Sequence, residues 1–295
     1  MIETYNPRGT NNFPMTIIQD QILSGERPLY GSSNLRLERV TIGDGESGLK
    51  ESRHVELHNC EFHGMYVLWE CEDVECYHCH FASSDRAPLW YGKHIRMHDC
   101  LMDAPKVFRE LDGLHLENLT LTDAAEAFWY CKNGHLSDLK MERAEYAFMQ
   151  SNHLTINRIN LHGKYTFQYA RNIEIHHAIL DTKDAFWNSE DCTIYDSDVK
   201  GEYLGWYAKN LRLIRCRISG TQPLCYCENL VIEDCIFEPN ADLAFEHSSV
   251  QATILSSVTS IVNPKSGTIR CQGCGEYIHD AGAKAPDDCQ LTFNS

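Results

Sequence analysis

The chain contains no apolar run approaching the ~18 residues that a membrane-spanning helix needs, and Met1 to Asn12 carry no signal-peptide core. No membrane partner is expected, and the expected location is the cytoplasm. Positive charge is scarce: 26 Lys and Arg stand against 42 Asp and Glu, for a formal net charge of -16. That balance argues against general binding to nucleic acid or to an anionic membrane surface. The motifs G-x-S-x-G, P-loop, G-x-G-x-x-G and H-E-x-x-H are all missing. Serine hydrolase, nucleotide-hydrolysing and dinucleotide-binding readings therefore lack support, and no cofactor or metal is expected. What is present includes 14 Cys and 15 His among 295 residues, with 43% hydrophobic and 23% charged residues. That is ample material for a folded core.

A repeat organises nearly the whole chain. The run Val55, Leu57, Cys60, Phe62 returns as Val74, Cys76, Cys79, Phe81 and again as Ile95, Met97, Cys100, Met102. The same spacing starts at Leu114, Leu154, Ile173, Cys192, Leu211 and Leu230, with starts 19 to 21 residues apart. Gly134 breaks the first apolar column, whereas Leu136, Leu139 and Met141 keep the other three. Each repeat reads as two short strands separated by a two-residue bend. A third element follows, such as Phe128-Trp129 or Phe186-Trp187. Asp73, Gly113, Asn133, Asn172, Asp191, Asn210 and Asn229 precede successive repeats and suit left-handed corners. A unit this short fits one turn of a β-solenoid and leaves no room for a helix. The spacing predicts an all-β, single-stranded parallel β-helix of about 12 turns. It divides into an N-terminal arm or cap over 1–33, the solenoid over 34–262 and a C-terminal cap over 263–295. A four-sided pentapeptide-repeat helix competes, but only half of each turn keeps a five-residue beat, and a three-sided helix fits better. Right-handed crossovers are the physical default.

Stacked columns carry the chemistry in such a fold. Leu29, Leu49, Leu68, Leu89, Phe108, Phe128, Phe148, Phe167 and Phe186 form an inward core column. The next column reads Tyr30, Lys50, Trp69, Trp90, Arg109, Trp129, Met149, Gln168, Trp187 and Trp206. Its charged members place it outside, and it holds all five tryptophans of the chain. Two readings stand: a face covered by a lateral loop or a second subunit, giving a homo-oligomer, or a platform for sugar rings. Three residues earlier lies a polar column containing Tyr66, Lys106, Glu126, Tyr146, Tyr165, Asp184, Tyr203 and Gln222. Arg27, Lys50, Arg86, Lys106 and Arg109 make the N-terminal half of this face cationic, while the C-terminal half is aromatic and acidic. A carbohydrate is the expected ligand, with Trp187, Trp206, Tyr203, Tyr165, Asn188, Gln222, Arg109 and Lys106 as candidate binding residues.

Asp184 and Glu202 fall on adjacent turns, and carboxyls about 5 to 6 Å apart would suit a retaining glycosidase. Lys183 is the alternative catalytic candidate, as a lyase base. Against both stands an ordinary ladder of surface ion pairs, with Lys183 on Glu202 and Glu145 on Lys164. The pair Cys271 and Cys274 is compatible with half a zinc ribbon completed by His279 or Cys289, on the weak evidence of a single C-x-x-C. Seven other cysteines, Cys60, Cys76, Cys79, Cys100, Cys192, Cys216 and Cys235, fall on inward columns as small hydrophobes.

One resemblance is specific. The segments Asp184-Ala-Phe-Trp-Asn-Ser-Glu190, Tyr195-Asp-Ser197 and Gly201-Glu-Tyr-Leu-Gly-Trp206 carry it, as do Gly25-Glu-Arg-Pro-Leu29 and Gly45-Glu-Ser47. Ala104-Pro-Lys106 with Phe108-Arg109, Gln222-Pro-Leu-Cys-Tyr226 and Leu243-Ala-Phe-Glu246 extend it over nearly the whole chain. Together these resemble a bacterial and archaeal family classed as a domain of unknown function. The resemblance implies a pectin-lyase-like, right-handed β-helix and no established activity. A mimic of DNA, as some acidic solenoids are, ranks last because the cationic patch would interrupt the negative stripe.

Overall fold

The computed structural model describes residues 14–280 and 288–293. Among the described residues there are 24 strands and no helix, and every strand pairing is parallel. The strands Thr16–Gln19, Ser33–Glu38, Arg53–His58 and Glu72–Tyr77 begin one leg of the ladder, which runs in register to Asp288–Phe293. Fifteen strands stack on this leg, making about 14 turns, two more than the repeat count predicts. At a strand spacing of about 4.8 Å the rod is roughly 65 Å long. The ladder enters both segments expected to be caps: Thr16–Gln19 pairs with Ser33–Glu38, and Ser266–Cys271 lies between Ser249–Ile254 and Asp288–Phe293.

The observed register is the one read from the repeat. Val55 pairs with Val74, Val74 with Ile95 and Ile95 with Leu114, so each apolar residue rests on its equivalent one turn away. Gly134, which breaks that column, sits between Leu114 and Leu154. A Cβ there would lie 2.9 Å from Leu114 Cβ and 2.9 Å from Leu154 Cδ2, so the two leucines already occupy its space. The corner residues Asp73, Asn133, Asn172, Asp191, Asn210 and Asn229 all have φ between 50° and 58°.

Inside the rod the core column is an aromatic stack. Phe108, Phe128, Phe148, Phe167 and Phe186 are fully buried, with successive ring centroids 4.6 to 4.7 Å apart. These phenylalanines also take the left-handed backbone region, with φ from 57° to 61°. Bulky side chains resist that conformation at a cost of about 1–2 kcal/mol each, and their complete burial offsets it.

Cysteine has a second role beyond filling space. On six turns the residue three after the core position is Ser52, Cys71, Cys131, Ser151, Cys227 or Ser248. Each donates its side-chain hydrogen to the carbonyl of the core residue one turn earlier. Cys71 Sγ reaches Leu49 O at 3.0 Å, and Ser248 Oγ reaches Leu224 O at 2.7 Å. A short side chain with one donor hydrogen reaches these carbonyls at the corner, where several also accept the local backbone N–H three residues on. Cys60, Cys79, Cys100, Cys216 and Cys235 cap carbonyls of the preceding turn in the same manner on a second column. Burial pushes the thiols of Cys71, Cys131 and Cys227 up to about 12, which keeps them protonated. All seven cysteines expected inside are buried.

Candidate functional site

The corner that follows the second strand builds the candidate site. Tyr165, Asp184 and Tyr203 occupy equivalent positions on successive turns, with φ of 59°, 56° and 59°. Their shared left-handed backbone sends one side chain per turn toward the same face. Three residues on, each tryptophan donates its indole N–H to the backbone carbonyl of that corner one turn later. Trp69 reaches Ala87 O, Trp90 reaches Lys106 O and Trp129 reaches Tyr146 O, each at 2.6 Å. Trp187 reaches Tyr203 O at 2.9 Å and Trp206 reaches Gln222 O at 2.8 Å. The tryptophans are thus half-buried clamps between turns.

Several of their faces are covered as well. Trp69 and Trp90 stack at 5.1 Å, and Trp187 and Trp206 at 5.6 Å. The Arg109 guanidinium lies between two indoles, 4.3 Å from Trp90 and 4.4 Å from Trp129, where both rings attract its charge. A sugar ring stacks on an open aromatic face, and Trp90 has none: Trp69 covers one side and Arg109 the other.

The cationic half of the face is largely neutralised. Glu126 accepts from Lys106 Nζ at 2.8 Å and from Arg109 Nη2 at 3.0 Å. Lys50 pairs with Glu70 at 3.3 Å, and Arg27 lies 4.0 Å from Glu26.

In the acidic half, Lys183 Nζ lies 2.9 Å from Glu202 Oε2, with both side chains about half exposed. This bond to Glu202 raises the Lys183 pKa, so the amine stays protonated and is poorly suited to act as a base. Glu202 in turn is engaged by Lys183. Asp184 is buried at 5% exposure, and desolvation lifts its carboxyl above the usual range. Among the described residues nothing hydrogen-bonds that carboxyl. Tyr165 stacks on Tyr146 at 4.9 Å, Tyr203 packs edge-on against Trp206 at 5.3 Å, and Gln222 contributes its carbonyl to the Trp206 clamp. Two concave regions of the surface lie over His177, Asp196 and Arg217 and over Asp123, Arg143 and Lys164; neither includes Asp184 or Glu202.

One residue past the tryptophans runs a column that the repeat also implies but that motif reading misses. At each turn the same backbone bond marks it, from its N–H to the carbonyl of the preceding column one turn later. Tyr91, Glu110, Tyr130, Gln150, Tyr169, Asn188 and Tyr207 all make it. From Tyr91 to Tyr207 the exposed tyrosines recur on every second turn and are 42%, 43%, 50% and 47% exposed; the less exposed Tyr226 follows on the next turn and stacks on Tyr207 at 4.9 Å. Tyr91 stands at 88° to Trp90, and Tyr130 at 82° to Trp129. The indoles stack along the rod, so the planes of these two rings run parallel to its axis. Of the residues expected to bind a ligand, Asn188 belongs to this exposed row. The signal available in sequence was the alternation of Tyr with Glu, Gln or Asn at a spacing of two repeats.

Cys271 is buried and Cys274 half-buried, and their thiols donate to Gly273 O and Glu276 O. Among the described residues they form no ligand cluster with His279 or Cys289.

These features define a class: an all-β parallel solenoid bearing a clamped tryptophan ladder beside a row of exposed tyrosines. The chain belongs to DUF3737, a family of proteins of unknown function, which it matches over residues 16–292. No curated protein matches it. Among solved structures it is similar to HetL, a pentapeptide repeat protein involved in heterocyst differentiation regulation from the cyanobacterium Nostoc sp. strain PCC 7120. The identity is 14% over 81% of this chain and 92% of that one, with a TM-score of 0.27. It is also similar to the catalytic domain of a GH87 α-1,3-glucanase, with 9% identity over 96% of this chain and 62% of that one and a TM-score of 0.24. No helix among the described residues is long and apolar enough to cross a membrane.

Proposed function

We propose that the protein binds an extended carbohydrate chain along the row Tyr91, Tyr130, Tyr169 and Tyr207, and binds it without cleaving it. The observation that carries this reading is the two-turn period of the exposed rings. Two turns span about 9.6 Å, a spacing suited to a ribbon-like β-linked glycan in which alternate sugars present the same face. The phenol faces would pack against the apolar C–H surface of every second sugar. Glu110, Gln150 and Asn188, set between the tyrosines, are placed to exchange hydrogen bonds with the intervening hydroxyls. The expected pectin-lyase-like character of the solenoid points the same way.

The charged groups favour binding over hydrolysis. A retaining mechanism needs a free nucleophile opposite an acid, and Glu202 is engaged by Lys183. Affinity electrophoresis through gels containing soluble β-1,4-glucan, xylan or mannan, with a helical α-glucan as control, tests the proposal. Retardation by a β-glycan and release of no sugar support it. Equal mobility in every gel would overturn it. Concentration-dependent self-association abolished by Tyr130→Ala would instead make the row an interface between copies of this chain.

A further inference from the structure

Three successive corners at the start of the first leg place metal-ligating side chains together. His54, Asp73 and His94 have φ of 52°, 56° and 53°, so one turn after another directs its side chain alike. The Asp73 carboxylate lies between the two imidazoles: Oδ2 is 3.1 Å from His54 Nδ1, and Oδ1 is 3.0 Å from His94 Nδ1. Glu72 adds a second carboxylate. Among the described residues, Glu72, Asp73 and His94 are the one group of three potential ligands whose donor atoms all fall within 4.8 Å of one another.

We propose that Glu72, Asp73 and His94, with His54 beside them, bind one divalent transition-metal ion of the Zn²⁺ class. The donor set is imidazole nitrogen plus carboxylate oxygen, which suits zinc, nickel or copper better than calcium or magnesium, whose sites are all oxygen. The 3.0 Å between His94 and Asp73 is close to the separation of two donors on a single ion with bonds of about 2.0–2.2 Å, and Glu72 lies within 4.8 Å of both. Two carboxylates cancel the ion's charge, and the net charge of -16 attracts cations to the rod. His54 reaches the second oxygen of Asp73 from the opposite turn, orienting that carboxylate in the manner of an outer-shell partner. The competing group is Arg53, whose Nε is 3.8 Å from Glu72. Metal binding requires Glu72 to exchange that ion pair for the metal.

Calorimetric titration of the metal-free full chain with ZnCl₂, together with visible spectra of the Co²⁺ form, tests the site. One saturable equivalent and weak d–d bands of nitrogen and oxygen ligation are expected. His94→Ala and Asp73→Asn should each weaken binding by tenfold or more, and Arg53→Ala should tighten it. Asn already occupies the equivalent corner at Asn133, Asn172, Asn210 and Asn229, so Asp73→Asn preserves the fold. Absence of saturable binding, affinity unchanged in His94→Ala, or an intense thiolate-to-cobalt band placing the ion at cysteines would overturn the proposal.

Discussion

The indole N–H of Trp187 donates to the carbonyl of Tyr203 one turn away, at 2.9 Å, and four other tryptophans repeat the contact. This bond makes the tryptophan column a structural clamp. Trp187→Phe keeps the aromatic stack and removes the donor, leaving the half-buried carbonyl short of a partner. The expected cost is about 1 kcal/mol, read as a lower urea midpoint, with carbohydrate affinity unchanged. Affinity lost in step with stability would return the tryptophans to the binding surface.

Asp85 is fully buried, neither carboxyl oxygen makes a hydrogen bond of good geometry, and desolvation raises its pKa well above the ordinary value, the nearby Val67 backbone offsetting this only in part. The native state therefore keeps a proton that the unfolded chain releases above the ordinary carboxylate range. From there upward, until the native pKa is passed, stability falls as pH rises. Ala104, Ala124 and Ala144 hold the corresponding position on later turns, four residues before their core phenylalanines. Asp85→Ala should therefore remove this pH dependence and stabilise the protein at pH 8 by about 1–3 kcal/mol. Urea unfolding of both proteins at pH 5 and pH 8 checks this; parallel pH profiles would contradict it.

Cys131 and Ser151 occupy equivalent positions and cap equivalent carbonyls, Phe108 O and Phe128 O. Cys131→Ser should be close to neutral, whereas Cys131→Ala should cost about 1 kcal/mol because Phe108 O loses its donor. A thiol reagent should label only the half-buried Cys274 and Cys289 in the folded protein, since the other twelve cysteines are buried. Thermal unfolding and mass spectrometry of the labelled protein read the two outcomes.

The solenoid was legible in sequence because stacking forces equivalent residues to repeat. Val55, Val74 and Ile95 announce their own register, and even the break at Gly134 follows from the two leucines beside it. The column assignment also placed the tryptophans outside the core. What spacing did not reveal was the direction of their rings and the fate of their N–H groups. Both depend on the carbonyl of a residue 16 to 18 positions later. The row of exposed tyrosines one residue further on was not singled out. For the acidic pair, the stacking of adjacent turns already placed Lys183 on Glu202, and the ion pair is present at 2.9 Å; what spacing did not reveal was the burial of Asp184.

If the acidic pair takes no part in cleavage, Asp184→Asn and Glu202→Gln should leave both carbohydrate retention and the absence of sugar release unchanged. Glu202→Gln removes only an exposed ion pair, worth less than about 1 kcal/mol. A reducing-sugar assay showing release by the wild type and none by either variant would restore the catalytic reading.

The most direct test of the central claim is calorimetric titration of the wild type, Tyr130→Ala and the triple variant Tyr91→Ala/Tyr130→Ala/Tyr169→Ala with a soluble β-linked oligosaccharide long enough to span the row. Each ring should contribute about 1 kcal/mol. The single change should therefore weaken binding about fivefold, and the triple variant should show no measurable heat while keeping the wild-type unfolding midpoint. Undiminished affinity in the triple variant would contradict the account.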